Sequence, residues 1–134
     1  MDKKFELFGD VETKFGVDVR RVRAMRDFGD VKKGDVGGFV EKESNLSHDD
    51  DAWVCGDAWV YGNAMVFGNA WVFGNALVYG NAEVFGDAWI SGDAWVYGNA
   101  KVFGNAKVSG DAKAYGNARV CGNARVYGDA RVNK

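Results

Sequence analysis

The chain has 134 residues, a formal net charge of −2 and 47% hydrophobic residues, which suits one compact domain and leaves no bulk charge from which to name a partner. No apolar run approaches the roughly twenty residues of a membrane-spanning helix, and the opening MDKKFELFGD lacks the apolar segment of a secretion signal. The expectation is a cytoplasmic protein that does not engage membranes.

Residues 1–50 are mixed and charged. KFELF and VDVRRVRA alternate apolar with polar residues, and FGDVKKGDVGG punctuates them with Gly and Asp, so short strands and hairpins are predicted. This segment reads as a small β-rich cap continuous with the remainder of the chain. Arg20, Arg21, Arg23 and Arg26 form a basic cluster within it. Acids are interleaved nearby, so ion pairing inside the cap competes with phosphate contact.

From residue 51 to 134 the chain is a single phrase repeated: Gly, Asn or Asp, Ala, x, Val, x. Fourteen anchors run from 54 to 132 in steps of six, and only Ile90 and Ala114 depart from Val. A six-residue period is the signature of a parallel β-helix in which each hexapeptide makes one side of a coil. Side chains alternate along an extended side, so Ala and Val share one face and the two variable residues share the other. A narrow prism holds one Val and one Ala per side at interior density, but it cannot hold Trp plus Phe from every side. Ala and Val therefore point inward. Gly followed by Asn or Asp makes the corners, where positive φ is needed, and the absence of Pro keeps every N–H free for the ladder.

Sorted by eighteen, the slot after Val gives Tyr61, Tyr79, Tyr97, Tyr115 in one column and Phe67, Phe85, Phe103, Cys121 in another. The third column holds Cys55, Phe73, Ser91, Ser109 and Tyr127, with both Ser residues together. Like residues stacked in register are what parallel ladders favour. The expected fold is an all-β, three-sided parallel β-helix with eighteen residues per coil and about 4.7 coils over residues 51–134.

The small Ala two residues before each Val matches the hexapeptide pattern of left-handed parallel β-helices. VRRVRAMRDFGDVKKGDVGGFVEKESNLS followed by DAWVCGDAWVYGNA resembles a group of phage-encoded and bacterial hexapeptide-repeat proteins, the YdcK-like β-solenoids. In these an Arg-Asp-Phe, Gly-Gly-aromatic and Asn-Leu-Ser segment precedes the repeats. The left hand is implied by this resemblance alone, since ordinary parallel crossovers are right-handed. Carried backwards, the repeat register places Leu46 and Val40 in inward Ala slots and Gly38 in a corner Gly slot. The cap thus grades into the first coil and covers an end that would otherwise expose core and unpaired strands.

Chemistry is sparse. Hexapeptide acyltransferases share the solenoid, but they generally use a His base in a site between subunits, with loops that interrupt the coils. Here the single His48 stands beside Asp49, Asp50 and Asp51, and the coils run to 132 without insertion. A solvated corner residue is the better reading of His48, and the same holds for the three Asp residues as metal ligands. No catalytic residue, cofactor or metal is expected. Cys55 and Cys121 are between three and four coils apart, roughly 17 Å, beyond disulfide reach, and are expected to be free thiols.

Charge is polarised along the chain. Residues 51–98 carry five acids and no Lys or Arg; residues 99–134 carry seven bases against two acids. Lys107 and Arg125 fall on one side, Lys113 and Arg131 on a second, Lys101 and Arg119 on the third. Such a collar does not track a phosphate backbone, so nucleic acid is a weaker reading than surface charge that blunts an edge.

The outward aromatic residues carry the strongest functional signal. Trp53, Trp71 and Trp89 fall on side one; Trp59, Tyr61, Leu77, Tyr79, Trp95 and Tyr97 fall on side two. Exposed together they would exceed the roughly 300–600 Å² of apolar patch that a soluble monomer shows. The expectation is a non-enzymatic protein-binding or self-assembly module, its partner another protein or a second copy joined by a side face or by the C-terminal end. Acyltransferase and nucleic-acid binding through Arg20, Arg21, Arg23, Arg26, Lys113 or Arg131 stand as alternatives. The resemblance to phage-borne proteins implies, further, a host protein as the inhibited partner.

Overall fold

A computed structural model describes residues 3–14 and 16–133; of the C-terminal bases, Lys134 lies outside the described residues. The chain begins with an antiparallel meander, β1 (Phe5–Lys14), β2 (Val17–Ala24) and β3 (Val36–Val40). A single 3₁₀ turn follows at Glu43–Asn45. Fourteen two-residue strands then run from Trp53–Val54 to Arg131–Val132 among the described residues. They pair in parallel with partners eighteen residues on, Trp53 with Trp71, Trp59 with Leu77 and Met65 with Glu83.

The result is an all-β parallel solenoid of about five turns with three flat sides. Side one stacks the strands at 53, 71, 89, 107 and 125; side two those at 59, 77, 95, 113 and 131; side three those at 65, 83, 101 and 119. The three-sided coil is consistent with the left-handed winding that the resemblance implies.

Ala and Val fill the interior as volume requires. From Ala52 to Ala118 every repeat Ala and every Val-slot anchor has essentially no exposed surface. N–H groups donate to carbonyls of the next coil, as Trp59 to Ala76 at 2.9 Å and Tyr61 to Val78 at 3.0 Å. Outside the core, the columns become ladders. Tyr61, Tyr79, Tyr97 and Tyr115 stack at centroid spacings of 5.0, 5.0 and 5.2 Å, and Phe67, Phe85 and Phe103 at 4.8 and 4.9 Å. At one corner Asn63, Asn81, Asn99 and Asn117 pass an amide hydrogen bond along the axis.

The corner glycines are required twice over. From Gly56 to Gly128 each has φ between +62° and +70°, which an L side chain tolerates poorly. From Gly56 to Gly110 each also lies under the glycine one coil on: a Cβ on Gly86 would stand 2.8 Å from the Gly104 nitrogen, whereas a Cβ on Gly122 would meet nothing within 4 Å. Gly122→Ala should therefore lose about 1 kcal/mol for the backbone alone. Gly86→Ala should lose about 2 kcal/mol more, and denaturant titration of the two variants isolates the stacking contribution.

The cap's register differs from the expectation. Val40 pairs with Val60 and Leu46 with Val66, each twenty residues on, so both occupy Val slots rather than Ala slots. Gly38 lies against Ala58, not at a corner. The two extra residues fall between Leu46 and Val54, within the His48–Asp51 stretch. There Asp50 adopts φ +55°, the one positive φ outside glycine among the described residues. A wider first corner gives the incoming cap strand room to join the sheet, and β3 continues side two upstream of Trp59–Val60.

The cap plugs the core. Phe5, Val22, Phe28, Val40 and Leu46 belong to one apolar cluster with the Ala and Val prism. Exposure rises along the last described coil: Ala124 and Ala130 are exposed, and Val132 is half-buried.

Candidate functional site

Every predicted outward Trp leaves the coil on the outer face, yet two of them do not reach solvent. Trp53 is 2% exposed and meets Phe28 edge-on at 5.2 Å between centroids. Trp59 is 3% exposed and packs with Val19, Phe39 and Leu77 in a second apolar cluster under β2. Trp53, Trp59 and Leu77 are therefore the adhesive that holds the cap, not an open surface. On side two, Tyr61, Tyr79 and Trp95 pack against the rim of that cluster. The phenol of Tyr79 is pushed up to about 12 by burial, with neighbouring Tyr61 and Tyr97 adding to the shift.

Side one keeps the apolar surface. Trp89 is 46% exposed, Trp71 and Phe73 are partly exposed, and Phe73 meets Trp89 edge-on at 5.7 Å. With Cys55, these rings floor an open cleft of about 600 Å³ walled by Asp30 of the cap and Asp51 of the first corner. Burial pushes the Cys55 thiol up, which makes it a poor nucleophile. Both Cys55 and Cys121 are free.

Cations terminate the indole column on two sides. The Lys107 ammonium lies 4.9 Å from the Trp89 ring centroid, and the Lys113 ammonium 4.8 Å from that of Trp95. Arg125 and Arg131 follow one coil on, exposed. The remaining bases, Lys101 and Arg119, stand on side three, so the collar is distributed as its eighteen-residue spacing predicts.

The cap arginines are largely spent inside the cap. Arg21 lies 4.2 Å over Phe39, donates to the Gly37 and Gly56 carbonyls and pairs with Asp57 at 3.2 Å. Arg23 pairs with Glu6, its Nε donating at 2.7 Å, and covers Phe8. Arg26 donates to the His48 carbonyl. Arg20 is exposed. Of the four, only Arg20 has a side chain without a bonding role in the cap among the described residues.

His48 is not a solvated corner. Its ring stacks on Phe5 at 4.1 Å, Nδ1 accepts from the Lys4 N–H at 3.1 Å, and Nε2 lies 3.0 Å from the Glu43 carboxylate. Bonding to His48 and Lys3 holds the Glu43 carboxyl below its ordinary range. With both nitrogens engaged, His48 ties β1 to the 3₁₀ turn.

Lys4 carries no signal in the sequence. Fully buried, its ammonium donates to Ala52 O at 2.6 Å and reaches the Asp50 and Asp49 carbonyls at 3.3 and 3.5 Å. It also lies 4.7 Å from the Phe28 ring. Burial lowers its pKa to about 8, against the opposing pull of Asp51. Among the described residues no three His, Cys, Asp or Glu side chains converge as a metal site would require.

The repeat itself is recognised. Residues 58–74, just short of one coil, match the family model described as YdcK Beta solenoid repeat. That segment is similar to the YdcK repeat over those residues alone. The match spans Trp59 on side two to Trp71 on side one, so the matched segment holds one covered indole and one open one. No curated protein matches the chain. No helix is long and apolar enough to cross a membrane among the described residues.

Proposed function

We propose that the chain is a non-enzymatic protein-binding module whose working surface is side one of the solenoid. The observation that carries this reading is the cleft of Trp71, Phe73 and Trp89. Its rings remain accessible after the cap has covered the indoles at 53 and 59, and large aromatic side chains held in a rigid frame dominate protein interfaces. The cleft offers no buried acid–base pair and no activated nucleophile among the described residues, and the His48 nitrogens are engaged in the cap. That disposition favours recognition over acyl transfer. The distribution of Lys and Arg around three sides favours it over a nucleic-acid groove. A phage-encoded inhibitor of a host protein remains the narrower reading, resting on the resemblance.

Photo-crosslinking tests the surface. A benzoylphenylalanine placed by Trp89→benzoylphenylalanine should give a protein adduct on irradiation in the native cells, and the same probe at Asn117, on the corner between sides two and three, should give none. Equal labelling at the two positions, or no adduct from position 89, removes side one as the binding face.

A further inference from the structure

Along side one, the slot before the inward anchor runs Trp71, Trp89, Lys107, Arg125. The slot after it runs Phe73, Ser91, Ser109, Tyr127. Each series complements itself when reversed. A two-fold axis in the plane of this face, parallel to the strands and midway between the coils of Trp89 and Lys107, sets one copy against another with solenoid axes opposed. Trp89 then faces Lys107 of the second copy, Trp71 faces its Arg125, and Phe73 faces its Tyr127. Ser91 and Ser109 meet at the centre, where small residues allow close approach. We propose that side one is the interface of an antiparallel homodimer in which the indoles of each copy receive the cationic side chains of the other. The proposal rests on the reading of side one as a binding face and names its occupant.

Three observations select a second copy in this orientation. The face already pairs ammonium with indole, since the chain's own Lys107 sits 4.9 Å from the Trp89 centroid, a geometry that is attractive over an aromatic face. The two depressions on the side are complementary: one is floored by Trp71, Phe73 and Trp89 with Asp30 and Asp51 at its wall, and the other is lined by Lys107, Ser109, Arg125 and Tyr127. Last, residues 51–98 hold five acids and no Lys or Arg, while residues 99–134 hold seven bases against two acids. Opposed axes bring unlike halves together; parallel axes bring like charges together, which disfavours that association.

The two other sides lack this symmetry. Side two is covered by the cap around Trp59, and side three runs Met65, Glu83, Lys101, Arg119 without an indole.

Size sets the strength. The four paired coils about 4.8 Å apart and six residues of about 3.3 Å each give roughly 400 Å² per copy, the small size of a weak, transient interface. The dimer is therefore concentration-dependent, with a Kd on the order of tens of micromolar, and salt-sensitive because charged contacts hold it.

Sedimentation or light scattering of the full chain reads the assembly. Twice the 14.6 kDa chain mass is expected at about 100 µM, falling toward one chain on dilution or in about 1 M salt. Lys107→Glu should weaken association by at least about tenfold. Orientation is read in a Cys55→Ser, Cys121→Ser background by mixing a Phe73→Cys chain with a Tyr127→Cys chain and adding a short bismaleimide. The mixture should link, whereas Phe73→Cys alone should not, because its two copies stand three coils, about 14 Å, apart along the axis. A wild type that stays a single chain to about 1 mM, a Phe73→Cys chain that links to itself, or a mixture that fails to link overturns the proposal. If position 89 still photo-crosslinks to a different protein, side one survives as a binding face and only the second copy is lost. If position 89 gives no adduct, both readings fall.

Discussion

Gly38→Ala should detach the cap from the solenoid. Neither Gly37 nor Gly38 has the positive φ of the corner glycines; they are glycine because nothing larger fits. A Cβ on Gly38 would lie 2.6 Å from the Ala58 carbonyl oxygen and 2.7 Å from Val54 Cγ1, and one on Gly37 would run into the Val54 carbonyl oxygen and the Trp53 ring. The obstacles are backbone and core, not the ends of flexible side chains, so β3 must move outward. That breaks the parallel pairing of Phe39 and Val40 with Trp59 and Val60 and opens both clusters that bury Trp53 and Trp59. The expected loss is about 3 kcal/mol or more, at the upper end for overpacking because backbone must shift. Two of the five Trp residues would enter water. Indole emission should shift to the red, and the first fifty residues should become protease-sensitive while the repeats stay folded. An unshifted emission maximum would show that the cap accommodates the methyl group.

Much of this architecture is legible because a six-residue repeat leaves few alternatives. Inward Ala and Val, corner Gly and the eighteen-residue columns all follow from alternation and volume, and the Tyr and Phe ladders stand where sorting places them. The meeting of two different segments is harder to read. Outward from the coil means outward to solvent at Trp89, but not at Trp53 or Trp59. A signal exists: β2 alternates Val17 and Val19 with charge, so it needs an apolar partner, and the first outward Trp residues are the nearest supply. The register of Val40 and Leu46 is hidden for a simpler reason. An insertion of two residues preserves the alternation, so every apolar residue still points inward, and only the pairing reveals the shift. Lys4 is illegible altogether. A Lys between Lys3 and Phe5 looks like any surface residue, and its environment is built by carbonyls some forty-five residues away.

That lysine leads to a prediction with an unusual sign. Lys4→Met removes the donor that ties β1 to the carbonyls of Asp49, Asp50 and Ala52, but it also removes a charge held in an apolar site. Near pH 7 the two effects oppose each other, and the loss is small, since burial of the ammonium already offsets much of what its hydrogen bonds contribute. The folded pKa of about 8 lies below the ordinary lysine value of 10.5. Between those values the unfolded chain binds a proton that the folded chain has released, so wild-type stability rises with pH through this window. The amine, once neutral, keeps donors for the carbonyls without the burden of a buried charge. Integrated from about pH 7 to about pH 9.5, the gain is roughly 2 kcal/mol. Lys4→Met cannot share it. The variant should therefore be only slightly weaker than wild type at neutral pH and roughly 2 kcal/mol further behind near pH 9.5. Cys55 and Tyr79, whose raised pKa values destabilise the fold as pH climbs through their own ranges, are present in both chains and cancel in the difference. Parallel urea titrations at the two pH values measure it. A difference that does not change with pH would mean that Lys4 stays charged throughout, held by Asp51 and the ring of carbonyls more firmly than its burial opposes.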